Sequence, residues 1–186
     1  MTLLEMKKKI LSLIEEIDDV EKGTTSDLDI KTKLPYVINQ IQNELSRIKK
    51  IPAYVEIEVL DTDELRFSDL KKETKDDIYQ LDYIRGAKHE LKAQGTVIKC
   101  LETGTLEIEY FKYPQMIDEN TPEDYVFALS TDVLEIMPYG VAADLLKNDT
   151  SNAYGNIYAN RYEQMKQQLD PRYSVGLMEV EGGVDV

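Results

Sequence analysis

The sequence predicts an α+β fold, with a helical bundle built from the N- and C-terminal helices and a small central antiparallel β-sheet. Apolar residues recur at three- and four-residue spacing towards both ends of the chain and alternate with polar residues in the middle. Proline or glycine stands where the pattern changes. The helices must bury their apolar stripes on one another and the sheet must bury its apolar face, which gives this fold class.

Two helices are predicted in the first 50 residues, over 2–21 and 27–49. The first ends before Gly23, and Ser26 or Asp27 can cap the second. Pro35 predicts a kink in the second helix, or the start of its longer part. Pro52 ends it.

The period changes to two after the helices, which predicts a sheet over 55–113. Its first strand alternates apolar and acidic residues over 55–59. A second candidate covers 78–84 and can extend through 88–91. Strands over 96–101 and 106–111 are joined by Glu102-Thr103-Gly104, which predicts a hairpin with a three-residue loop.

The chain returns to helical spacing after the sheet, with helices predicted over 138–148 and 151–169. Pro138 suits the first position of a helix, where a missing N–H costs nothing. The last helix carries a stripe that includes Tyr154, Tyr158 and Tyr162. Residues 171–186 have no clear period and are interpreted as a C-terminal tail. We therefore predict a single domain over 1–170 followed by the tail.

Charge restricts the possible functions most strongly. The 186 residues carry 36 acidic and 22 basic side chains, for a net charge of −14. Residues 1–54 are electroneutral, so the whole excess lies in 55–186. A protein that grips nucleic acid needs a basic patch against the phosphates, and none is present in the sequence. A negative surface is compatible with DNA that passes nearby without sticking.

The sequence gives no pattern that indicates catalysis. His89 is the one histidine and lacks a partner motif, and Cys100 is the one cysteine, on a predicted strand. The acids at 61–64 and 76–77 fit loop solvation better than a cation site, because they do not match an EF-hand loop. We predict no catalytic residue, no metal ligand and no cofactor. No apolar run is long enough for a membrane span, so no membrane partner is expected.

Tyrosine is concentrated in the second half of the chain, where eight of the 12 lie at 110–173. Its large apolar body and polar tip suit both the edge of a core and a surface that meets a partner. The stripe on the last helix leaves both interpretations open. We expect Tyr154, Tyr158 and Tyr162 to lie near the helical core or at subunit contacts.

Three pieces of the sequence together resemble the head–tail adaptor proteins of tailed bacteriophages, also called connector or tail tubular proteins. The first is the short opening helices, the second of which starts at 26–30. The next is the hairpin over 95–114, which ends in two aromatics and a proline. The third is the segment Met137–Asp149, with a proline-started helix, followed by the tyrosine-bearing helix around 158–165.

The resemblance implies a structural virion protein, not an enzyme, which is assembled in the host cytoplasm and located in the neck at the head–tail junction. Such proteins form a ring, commonly of twelve copies, beneath the portal. The ring extends the DNA channel, through which DNA passes without specific binding, and offers a platform for the next neck or tail protein. By position, the tail would reach the portal through Tyr173, Val175, Leu177, Met178 and Val180.

Two other functions stay open at this point. One is a non-viral cytosolic module that binds proteins through its helices. The other is a carboxylate-based hydrolase, which needs two acids facing each other across a sugar-sized cleft with one raised pKa.

Overall fold

The computed structural model describes residues 1–75, 78–92, 97–147 and 153–170, and it confirms the α+β fold class. Within these ranges, helices flank two three-stranded antiparallel sheets. The helices are α1 (Leu3–Leu13), α2 (Leu28–Ile48), α3 (Phe67–Thr74), α4 (Thr131–Leu146) and α5 (Tyr154–Gln167). The strands are β1 (Ile51–Val59), β2 (Glu64–Arg66), β3 (Ile78–Gly86), β4 (His89–Lys92), β5 (Val97–Cys100) and β6 (Gly104–Lys112).

Contacts divide the described chain into two compact units where the sequence predicts one domain. The helical unit comprises residues 1–50 and 114–170 and contains α1, α2, α4 and α5. The sheet unit comprises the described residues between 51 and 113. The predicted tail, 171–186, lies outside the described residues.

The first helix ends at Leu13, so the predicted extent of 2–21 is wrong at its C-terminal end. Glu15 has a left-handed backbone with φ of 60°. Beyond it, the Asp19 carboxylate accepts hydrogen bonds from the backbone N–H groups of Glu21 and Lys22, both at 3.0 Å. Aspartates that bind their own backbone compete with the helix, and acidic residues also oppose the negative C-terminal end of a helix.

Two helices run through an internal proline. Asp27, one of the two predicted caps, accepts from the backbone N–H of Asp29 at 2.8 Å and of Ile30 at 3.1 Å, and α2 continues past Pro35 to Ile48. Helix α4 starts at Thr131 instead of at Pro138, so the predicted start at 138 is wrong. Burial of Val133, Leu134, Ile136 and Met137 favours helix ahead of the proline and outweighs the one lost hydrogen bond.

A buried polar clamp fixes the segment that enters the helical unit after Pro114. Asn39 on α2 donates to the Ile117 carbonyl at 2.7 Å and accepts from the Ile117 N–H at 2.9 Å. Gln42 donates to the Asn39 side-chain oxygen at 2.8 Å and to the Gln115 carbonyl at 3.0 Å. Both side chains are buried away from water, so these hydrogen bonds give partners to polar groups that water cannot reach.

The strands of the sheet unit form two sheets instead of the single predicted one. Their orders are β1-β6-β3 and β2-β5-β4. The predicted hairpin over 96–101 and 106–111 is wrong, because β5 pairs with β2 and β4 whereas β6 pairs with β1 and β3. The Glu102-Thr103-Gly104 segment is where the chain crosses from one sheet to the other. In a sequence, a glycine marks such a crossing in the same way as it marks a tight turn, so the two cannot be told apart.

The crossing brings two chain segments into close backbone contact. The Ala87 N–H donates to the Thr105 carbonyl at 2.9 Å, and the Leu101 N–H donates to the Lys88 carbonyl at 2.8 Å. Gly86 has φ of 102°, and a Cβ atom added to it would lie 2.2 Å from the Thr105 carbonyl oxygen. Only glycine fits this position.

The core of the sheet unit includes residues from both sheets and from α3. Leu70 of α3 is 1% exposed, and the same cluster contains Cys100 of β5 and Ile108 of β6. Residues 64–75 therefore contribute β2, α3 and a core side chain despite their high charge.

Replacing Gly86 with alanine is expected to destabilise the protein by at least about 2 kcal/mol, since the new Cβ strains the backbone and collides with a carbonyl. Gly104→Ala is the matched control, because its Cβ would meet the Cβ atom of Ala87 at 3.2 Å and the Cα atom of Ala87 at 3.9 Å, but no carbonyl group. Urea unfolding followed by circular dichroism measures both. Equal midpoints for the two variants would contradict the assigned role of Gly86.

Candidate assembly surfaces

The three tyrosines predicted on the last helix lie on α5 at three different depths. Tyr162 is 6% exposed, Tyr158 is half-buried and Tyr154 is 52% exposed. The spacing of four residues keeps the three side chains near one side of the helix. Exposure increases along that side, from Tyr162 in the core to Tyr154 at the surface.

Tyr162 belongs to the core. A Cβ atom added to Gly140 on α4 would lie 2.8 Å from the Tyr162 ring, so the glycine makes room for the ring. Burial raises the pKa of Tyr162, and the nearby Glu44 carboxylate adds to the increase. Lys166 lies over the ring at 4.9 Å and pairs with Glu44 at 2.8 Å. In this helical unit, Tyr162 is a packing residue and offers no surface to a partner.

Tyr158 links α5 to the end of α1. Its hydroxyl donates to the Leu13 carbonyl at 2.8 Å, which satisfies one of the carbonyls that a helix leaves open at its C-terminus. Burial raises the pKa of Tyr158. Its ring lies 6.2 Å from that of Tyr139 and 6.1 Å from that of Tyr154.

Exposed apolar groups continue from this cluster along α5. Ile157 is 54% exposed, and the Arg161 guanidinium lies 4.5 Å from the centre of the Tyr139 ring. Tyrosine and arginine are enriched in protein–protein interfaces. We call Tyr139, Tyr154, Ile157, Tyr158 and Arg161 the aromatic surface.

A groove of about 710 Å³ lies beside the aromatic surface, within the helical unit. Residues from α1, the segment after it, α4 and α5 line this α1–α4–α5 groove. Its apolar lining comes from Leu13, Ile17, Val20, Pro138 and Met165. Its charged lining comes from Lys8, Lys9, Arg161 and Glu135. The groove is thus apolar with mainly cationic edges.

The remaining predicted partner-binding residues, Tyr173, Val175, Leu177, Met178 and Val180, lie outside the described residues.

A second surface of distinct character lies on the sheet unit. Glu56 and Glu58 of β1 alternate with half-buried apolar residues, and Glu107 and Glu109 of β6 alternate with buried ones. Glu56 is directly opposite Glu107. We call these four the acidic sheet face. Like charges placed opposite each other on neighbouring strands destabilise a sheet. The pairing therefore has a cost that the fold alone does not explain.

Neighbouring polar groups partly compensate this charge. Tyr54 donates to Glu56 at 2.6 Å and Thr105 donates to Glu58 at 2.8 Å, while Arg85 forms an ion pair with Glu107. The hydrogen bond to Glu56 is the main cause that raises the pKa of Tyr54 to about 12. Sequence reasoning identified the alternation on each strand but missed the face, because the face depends on how β1 and β6 pair.

His89 lies close to a backbone carbonyl, and Cys100 lies in the core of the sheet unit. The Nδ1 atom of His89 lies 2.9 Å from the Ala87 carbonyl oxygen. Cys100 is buried, and burial raises the pKa of its thiol. Within the described ranges, no three His, Cys, Asp or Glu side chains form a group that could hold a metal ion. None of the described helices combines the length and apolarity that a membrane span requires.

Comparison with known proteins gave no family model that matches the chain and no significant match among curated proteins.

Replacing Tyr158 with phenylalanine is expected to lower the free energy of unfolding by about 1–2 kcal/mol, because the Leu13 carbonyl loses a half-buried partner. Tyr36→Phe is the control: Tyr36 is 74% exposed, so its change is expected to stay within about 0.5 kcal/mol. Chemical denaturation measures both. A Tyr158→Phe variant as stable as the Tyr36→Phe variant would contradict the link between α1 and α5.

Proposed function

We propose that the chain is a structural protein of the virion, a head–tail adaptor of a tailed bacteriophage. Copies form a ring beneath the portal in the neck, extend the DNA channel and dock the next neck or tail protein. The protein works by assembly in the host cytoplasm and makes or breaks no bond. The observation that carries the proposal is the acidic sheet face.

A channel for DNA must let the duplex slide. DNA carries one phosphate charge per about 1.7 Å of helix axis, and a surface that neutralises phosphates binds it. A surface of carboxylates repels the backbone and prevents such sticking. Four glutamates on two paired strands, in a chain with net charge −14, supply a wall of that kind. Exclusion of DNA also gives a reason for the unfavourable Glu56–Glu107 pairing.

The resemblance to the adaptor family supports the proposal through its first piece and the second half of its third piece. These are the second helix, capped by Asp27, and the tyrosine-bearing last helix. The rest of the resemblance does not match the structure. Residues 95–114 contain a crossing between two sheets instead of a hairpin, and α4 begins seven residues ahead of Pro138. The tail belongs to the proposal as the portal-binding segment, through Tyr173, Val175, Leu177, Met178 and Val180.

A non-viral module that binds proteins is the second candidate. The aromatic surface favours it, because exposed tyrosine, isoleucine and arginine side chains suit binding to any protein partner. The two candidates differ in whether a portal is the partner.

Mixing the purified protein with portal-bearing heads and imaging the necks by cryo-electron microscopy tests the proposal. A ring is expected beneath the portal with the full chain, and loss of attachment is expected when residues 172–186 are deleted. Unchanged attachment of the shortened chain would refute the role of the tail. Absence of any portal-bound density with the full chain would refute the adaptor function and favour the second candidate.

Charge reversal on the acidic sheet face tests the observation that carries the proposal. Assemblies with Glu56→Lys and Glu107→Lys are expected to bind a short DNA duplex at least about tenfold more tightly at low salt than the control assemblies. The control is Glu21→Lys with Glu119→Lys, two exposed positions of the helical unit, which changes the net charge equally. Fluorescence anisotropy of labelled duplex measures both. Equal DNA binding by the two variants would show that the position of the glutamates is irrelevant.

A further inference from the structure

We infer that the α1–α4–α5 groove is the acceptor half of a head-to-tail interface, and that its occupant is a second copy of this chain. The inference rests on the proposed function, which requires self-assembly, and it deepens that function by naming the partner of the groove.

The apolar lining of the groove includes side chains that water reaches. Val20 is 67% exposed at the edge of the groove, and Leu13 and Ile17 are half-buried within it. Removing apolar surface of this kind from water favours association in proportion to its area. A complementary surface would be stabilised by covering these side chains.

Two cations of the groove are not engaged by a carboxylate of the same chain in the described ranges. Nearby lysines of the helical unit hold carboxylates: Lys7 with Glu123 at 2.7 Å, Lys49 with Asp132 at 3.2 Å and Lys166 with Glu44 at 2.8 Å. Lys9 and Arg161 form no ion pair with a carboxylate in the described ranges. The charges of these two side chains are therefore available to a carboxylate of a partner.

Charge favours a second copy as that outside partner. The groove lining holds three cations and one carboxylate, a net charge of +2, so the rest of a chain with net charge −14 carries −16. An acidic surface of a second copy is attracted to the groove, whereas two grooves repel each other. The contact is therefore between unlike surfaces, and such contacts form rings when the rotation closes.

Arg161 is the expected anchor of the interface. Its guanidinium lies over the Tyr139 ring at 4.5 Å, which orients the side chain before a partner arrives. A planar guanidinium stacked on a ring still has N–H groups to donate to a carboxylate, and pre-organised arginines often dominate binding energy.

Sedimentation of the full-length protein over a range of concentrations tests the inference. Arg161→Glu and Val20→Glu are each expected to raise the dissociation constant for self-association at least about tenfold. Lys33→Glu is the matched charge reversal on α2, away from the groove, and is expected to change it less than about twofold. High salt is expected to weaken the wild-type association. Equal effects of Arg161→Glu and Lys33→Glu would overturn the inference.

A mixture of a labelled variant with unlabelled wild type shows whether the interface joins two different surfaces or two copies of the same surface. A fluorescent Arg161→Glu copy keeps its other surface, so it is expected to bind the groove of the unlabelled wild type more tightly than it binds itself. Failure to bind wild type would overturn the head-to-tail assignment.

The inference and the proposed function can fail separately. A wild type that stays monomeric in solution and yet forms rings on portals through contacts insensitive to Arg161→Glu would overturn the inference alone. Groove-dependent oligomers that never bind a portal would overturn the proposed function alone.

Discussion

The two hydrogen bonds between the Asn39 side chain and the Ile117 backbone are the constraint on which the helical unit depends. This unit is assembled from two stretches of chain that are separated by more than 60 residues, 1–50 and 114–170. The clamp fixes the second stretch against α2 where it enters the unit. Helix α4 then packs on α1, α2 and α5. The α1–α4–α5 groove and the aromatic surface exist because of that packing.

The acidic sheet face and the α1–α4–α5 groove carry charge of opposite sign. The acidic sheet face keeps glutamates opposite one another at a cost to the sheet. The groove leaves apolar side chains exposed to water, and its lining holds more cations than carboxylates. The proposed function would use the first feature to repel DNA, and the inferred interface would use the second to bind an acidic surface of another copy.

The sequence predicted what local chemistry determines and missed what long-range pairing determines. Asp27 and Lys49 bracket α2 within a residue of its predicted limits, because caps act on their own helix. Pro138 misled the prediction for α4, since burial of the preceding apolar residues outweighs the lost N–H. The crossing at Gly104 was interpreted as a hairpin loop, and the acidic sheet face was missed, because each depends on which strand lies alongside β6. Of the candidate partner residues, the spacing on α5 placed Tyr154, Tyr158 and Tyr162 along one helix, but burial alone separates Tyr162 from the other two.

The isolation of Cys100 has a practical consequence. The only thiol of the chain is enclosed in the core of the sheet unit, and its raised pKa keeps it protonated and a poor nucleophile near neutral pH. A maleimide dye would leave it unmodified, so a cysteine introduced at any exposed position can be labelled alone in the otherwise natural chain. If the proposed ring forms, energy transfer between dyes on neighbouring copies would follow its growth in real time.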